Sequence, residues 1–123
     1  MKKLVTETLG KFLAEEMNNE SHRAIMVWEE AEKTGKKLKI TFFNFFTNQN
    51  NEMHIKIIKK YRDDLYLVEL ISTNSKELNS YINDKLMILG LPTQLKDYFT
   101  ITNEYRSKKL IQPRLINIEL SKE

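Results

Sequence analysis

Hydrophobic and polar positions change period along this chain, and the changes divide it into segments. At the start, Val5, Leu9, Phe12 and Leu13 recur at helical spacing and form one narrow apolar stripe. Gly10 in its middle costs such a helix about 1 kcal/mol relative to alanine, and a helix this short is marginal alone. The stripe predicts an arm, residues 1–17, that forms only against a partner surface. "NNESHRAIMVWEEAEKTGKK" predicts a second helix. Asn19 can cap it, Ala24, Ile25, Trp28, Ala31 and Glu32 share a face, and Gly35 stands where a left-handed C-terminal cap belongs.

From residue 37 the period falls to two. Leu38, Ile40 and Phe42 alternate within Lys37–Thr47, and Met53, Ile55 and Ile57 within Met53–Tyr61. Leu65–Ser72 is apolar on both faces apart from Glu69. The connectors "NQNN" and "RDD" are short and polar, so three strands form an antiparallel meander. "TNSKELNSYINDKLMILGLP" returns to helical spacing. Asn74 and Glu77 make a start like a capping box, Leu78, Ile82, Lys85 or Leu86, and Leu89 follow, and Gly90 and Pro92 end it. "TQLKDYFTITNEYRSKK" supports a helix through Leu95, Tyr98 and Phe99, or a strand through Phe99, Ile101 and the threonines. In "RLINIELSKE", Leu115 opens a run where Ile116, Ile118 and Leu120 alternate with Asn117 and Glu119, a strand with one dry face. The expected architecture is α+β: one domain over 18–123, with an antiparallel sheet of three to five strands, packed helices and the N-terminal helical arm.

The stretch "KITFFNFFTNQNNEMHIKI" sharpens the question of company. Alternation puts Phe42 and Phe46 on one face with Asn44 between them, and Phe43 and Phe45 on the other. Burying one phenylalanine is worth roughly 1.5–3 kcal/mol, against a net stability of about 5–15 kcal/mol for a small domain. Both faces are therefore expected to be covered. A bulge near Asn44 or helices on both sides of the sheet would do this within the chain; otherwise Phe43 and Phe45 meet another subunit.

Composition narrows the options. At 123 residues, with 41% hydrophobic and 30% charged, the sequence suits one globular domain. Absence of cysteine excludes disulfides, thiolate nucleophiles and cysteine-ligated zinc. Thr6, Glu7, Thr8 and Lys11 interrupt what would be the apolar core of a secretory leader, and no run approaches the roughly 20 apolar residues of a membrane span. Net charge is +3, and only Arg23, Arg62, Arg106 and Arg114 are arginine among 20 basic residues. A lysine-, asparagine- and isoleucine-rich composition is what AT-rich coding DNA gives, so the basic balance says little by itself.

Candidate chemistry is sparse. His22 and His54 lack an identifiable orienting partner, Asp63–Asp64 fits a turn, and three glycines make no phosphate loop. No catalysis, metal, cofactor, small-molecule substrate or membrane is expected. Lys36, Lys37 and Lys39, then Lys56, Lys59, Lys60 and Arg62, could hold a phosphate backbone; the competing reading is a solvated strand face whose lysines guard a sheet edge.

The N-terminal residues carry one resemblance. "MKKLVTETLGKFLAEE", with Leu4, Val5, Thr6, Glu7, Leu9, Phe12 and Leu13, resembles the short amphipathic N-terminal segments of tailed-bacteriophage virion proteins, those of crAss-like and large contractile-tailed phages included. It covers about one eighth of the chain. In such phages these segments direct proteins into the assembling capsid, and a maturation protease cuts after Leu-x-Glu, a pattern that Leu13, Ala14 and Glu15 match. The resemblance implies a non-catalytic structural or accessory protein of the capsid, neck or tail, assembled with other virion proteins in the bacterial host cytoplasm. Leu4, Val5, Leu9, Phe12 and Leu13 would then dock the arm on a neighbour, with Phe43 and Phe45 as a second contact. A small nucleic-acid-binding or regulatory protein using the lysine-rich strands is the alternative.

Overall fold

A computed structural model describes residues 22–95, 97–103 and 109–121. A helix, α1, occupies 22–34 and ends at Gly35, whose φ of 77° and N–H bond to the Ala31 carbonyl (2.9 Å) make the left-handed cap expected there. Strands β1 (Leu38–Asn44), β2 (Gln49–Arg62) and β3 (Leu65–Thr73) follow, then a single helical turn α2 (Lys76–Asn79). Strands β4 (Lys85–Leu89), β5 (Thr100–Asn103), β6 (Lys109–Ile111) and β7 (Arg114–Leu120) complete the order. All pair antiparallel in one sheet, ordered β6-β5-β4-β3-β2-β1-β7, which curls into a half-barrel.

This overturns the expected α+β architecture. The sheet has seven strands rather than three to five, 53% of the described residues lie in strands, and their helices are short, so the described part of the chain is mainly β. The largest departure is the helix read into Asn74–Leu89. Only Lys76–Asn79 is helical; Asn83 takes a left-handed φ of 75°, and its N–H binds the Leu70 carbonyl at 2.6 Å. Leu70 N–H in turn binds the Asp84 carbonyl at 3.0 Å, so the chain turns back onto β3 and pairs with Leu65–Glu69. Leu78, Ile82 and Leu86 keep helical spacing, but the β3 edge offered "KLMIL" five paired backbones, and tertiary pairing outweighs local period.

Register explains where the core sits. Leu38, Ile40 and Phe42 stand opposite Ile55, Met53 and Asn51 on β2, and opposite Leu120, Ile118 and Leu115 on β7. The row continues through Leu70 and Val68 to Leu86, then from Tyr66 through Ile88 and Ile101 to Ile111. Into this inward face α1 lays Ala24, Trp28 and Ala31, all buried, with Trp28 edge-on to the Tyr66 ring at 5.0 Å. Glu32, read from sequence as sharing that face, is exposed. The dry face of β7 also differs from expectation. Pairing jumps from Thr41–Asn117 to Phe42–Leu115, skipping Ile116, so this bulge turns Leu115 and Ile118 inward and leaves Ile116 outside.

The two outermost strands of the order are one stretch of chain. Residues Gln112–Pro113 bend β6 directly into β7. Phe99 N–H binds the Pro113 carbonyl (3.0 Å), and Leu115 N–H binds the Asp97 carbonyl (2.9 Å). The first half of 109–120 thus pairs with the β5 segment and the second half with β1. Pro113, which has no N–H to give a ladder, sits buried at the corner.

Candidate protein-interaction site

Of the four phenylalanines only Phe42 enters the core. The strand ends at Asn44, three residues earlier than the expected Lys37–Thr47, and 45–48 form the turn into β2. Asn48 takes φ 61° there, and its N–H binds the Asn44 carbonyl at 2.8 Å. Phe45 and Phe46 therefore leave the sheet, 49% and 77% exposed. Among the described residues neither self-contained solution appears: no bulge turns all four rings inward, and α1 packs on the inner face. Phe43, outward on β1, meets Phe45 edge-on at 4.8 Å, and Phe45 stacks on Tyr98 at 5.5 Å with 25° between ring planes. Tyr98 is 54% exposed. Arg114 links the elements, standing opposite Phe43 on one side and Tyr98 on the other. A notch of about 20 Å³ lies between Phe45, Phe46 and the Gln112–Pro113 corner.

Beneath these rings the turn is held by a polar cluster. Asn44, 2% exposed, accepts the Phe46 N–H at 2.9 Å and donates through Nδ2 to Glu77 Oε1 at 2.5 Å. Ser75 Oγ donates to the same oxygen at 3.0 Å. The Asn44 amide holds the Glu77 carboxyl below its ordinary value; burial opposes this, while its own backbone N–H, Ser75 and Lys76 assist. Asn74 Oδ1 accepts from Asn51 Nδ2 (3.1 Å) and from the Glu52 N–H (2.9 Å). So α2 is tied to the start of β2 as well as to the end of β1. A groove of about 230 Å³ lined by Thr73, Asn74, Ser75, Lys76 and Asn79 lies beside this cluster.

The basic candidates are not brought together into a field of one sign. Lys39 lies between Glu52 (3.3 Å) and Glu119 (3.6 Å), which raise its pKa, Glu52 the more strongly. Lys60 pairs with Asp63 at 3.2 Å, Arg62 with Asp64 at 2.5 Å and Lys36 with Glu30 at 3.9 Å. Lys56 faces Glu69 across the β2–β3 ladder, and Lys59 lies over the Tyr61 ring at 4.8 Å. Lys37 is partnered as well. His54 Nδ1 meets Ser121 Oγ at 2.8 Å, and His22 is exposed on α1. Among the described residues no group of three His, Cys, Asp or Glu side chains could hold a metal, and no helix is long and apolar enough to cross a membrane. Leu4, Val5, Leu9, Phe12 and Leu13, with the whole of the 1–17 arm, lie outside the described residues.

Sequence reasoning missed Tyr98 and Phe46 as members of the aromatic patch. In the sequence Tyr98 supports only the helical alternative for its segment, and its place beside Phe45 depends on the bridge to Arg114 of β7. No family model matches the chain, and no curated protein or solved structure was found similar to it.

Proposed function

We propose that this protein is a non-catalytic structural or accessory component of a tailed-bacteriophage particle, placed in the capsid, neck or tail by protein–protein contacts. One observation carries the contact reading: Phe43, Phe45, Phe46 and Tyr98 gather outside a barrel whose inner face is already filled by Phe42 and α1. A contiguous apolar patch of this kind on a small domain marks an interaction surface. The particle as its setting is supported by the likeness of residues 1–16 to virion-protein segments. Phosphate binding by the lysine-rich strands has less behind it, because carboxylates stand beside most of those cations.

Deleting residues 1–15 is expected to stop incorporation into particles while leaving the domain folded, judged by Trp28 emission. Normal incorporation of the truncated chain refutes the arm's role. A binding curve to candidate shell or tail proteins that hardly moves with salt supports an apolar contact; a steep fall, as for phosphate neutralisation, overturns it.

A further inference from the structure

We propose that the outer face of the β2–β3–β4 end of the sheet is a peripheral contact for an anionic lipid bilayer. The inference does not rest on the particle reading, and its residues take no part in the aromatic patch. Its first ground is the backbone. Pairing of β2 with β3 jumps from Ile57–Val68 to Lys59–Leu67, and from Lys60–Tyr66 to Arg62–Leu65. Ile58 and Tyr61 are the extra residues of these two bulges, and both are large, apolar and exposed. A bulge re-aims a side chain. Here each one turns an apolar group to the solvent.

The second ground is continuity. Leu65 and Leu67 alternate with the core residues Tyr66 and Val68, so they face outward, opposite Leu89 and Met87 on β4. Leu67 is buried on that side, Leu65 and Met87 are partly buried, and Leu89 is exposed. The Gly90 N–H binds the Asp64 carbonyl at 2.8 Å, which brings the chain at exposed Leu91 to the hairpin turn. The third ground is charge. Lys56, Lys59, Arg62 and Lys85 share this outer side with only two carboxylates set against them, Glu69 and Asp64. The Lys59 ammonium lies over the Tyr61 ring. Aliphatic groups beside a tyrosine, with lysines around them, suit the boundary between headgroups and acyl chains. The apolar groups enter it, and the lysine stems lie along them with their heads on lipid phosphates. No spanning segment is needed for such a contact. Ile58, Leu89 and Leu91 offer no ring on which a base could stack, which disfavours a nucleic acid. A two-fold contact of this face with itself would set one lysine rim against another.

The test is co-sedimentation of the full-length chain, at low salt, with vesicles of phosphatidylcholine alone or with about one quarter phosphatidylglycerol. The anionic vesicles are expected to retain at least about tenfold more protein than the neutral ones. Ile58→Ser with Tyr61→Ser should lower that retention roughly tenfold. Trp28 emission should not change, because neither residue belongs to the core or holds a ladder pair. Lys59→Gln with Lys85→Gln should also lower retention. Phe45→Ser with Tyr98→Ser should leave it unchanged, which separates this face from the assembly contact. Equal retention on the two vesicles, retention that survives the Ile58 and Tyr61 substitutions, or retention lost with Phe45 and Tyr98 would each overturn the proposal. So would a dimer in sedimentation that the Ile58 and Tyr61 substitutions dissociate, which would give the face to a second copy. Oligothymidine binding lost with the same substitutions would give it to a nucleic acid instead, and would equally overturn the proposal.

Discussion

Replacing Asn44 by alanine tests the account of the patch at its base. The side chain is buried, accepts the N–H that fixes Phe46 in the turn, and donates to a carboxylate on α2. A neutral hydrogen bond is worth about 1 kcal/mol and one to a charged group about 1.5–3; Glu77, still partly exposed to solvent, belongs at the low end. Asn44→Ala is therefore expected to lower stability by about 2–3 kcal/mol, read by urea unfolding with Trp28 emission, since that indole is buried against Tyr66. Glu77 adds a signature in pH. Its folded pKa lies below the ordinary 4.5, so its contribution is complete above that value and is lost as pH falls through the lower, folded pKa. The wild type should lose more stability than Asn44→Ala as pH drops below about 4.5, and Glu77→Gln should remove most of that difference. A change under about 0.5 kcal/mol at pH 7, or parallel acid limbs in the two proteins, would refute the coupling of turn to helix.

Two further outcomes follow from the same geometry. Gly90 holds φ 136°, and a Cβ built there would lie 3.2 Å from both Cα and Cβ of Phe99, so Gly90→Ala is expected to cost at least about 1–3 kcal/mol in thermal or urea unfolding; full wild-type stability would contradict it. Phe45→Ser with Tyr98→Ser removes half-exposed rings, so stability should change by less than about 1 kcal/mol while binding to any assembly partner is lost; retained binding in a pull-down would remove the patch from the interface.

The legible part of this fold was the part where local pattern and tertiary pairing agree. Leu38, Ile40 and Phe42 alternate and face the core, the first three strands form the meander, Ala24, Trp28 and Ala31 share a buried face, and Gly35 caps α1. The sequence misleads where a long-range edge competes with local period. "SYINDKLMIL" spaces its leucines for a helix, yet β3 claims Lys85–Leu89 as a strand. Lys109–Ile111 has too few residues to show any period, and it is a strand only because Ile101 and Thr102 stand beside it. The site was half visible. Four phenylalanines around one asparagine announce surplus apolar surface, but that Asn44 itself turns inward, anchoring Glu77 and sending Phe45 and Phe46 outward, depends on where β1 stops.

The bend at Gln112–Pro113 has a consequence for synthesis. Because a single C-terminal stretch closes the sheet against both the β5 segment and β1, Ile40 waits for Ile118. Until residues 109–120 leave the ribosome, the nascent chain carries β1 with a bare edge of backbone amides, the kind of template on which strangers stack. Long-separation pairing of this kind forms slowly. A chain terminated before residue 109 should therefore precipitate rather than circulate as a smaller version of the protein, and chaperone demand during translation should fall once β7 has emerged.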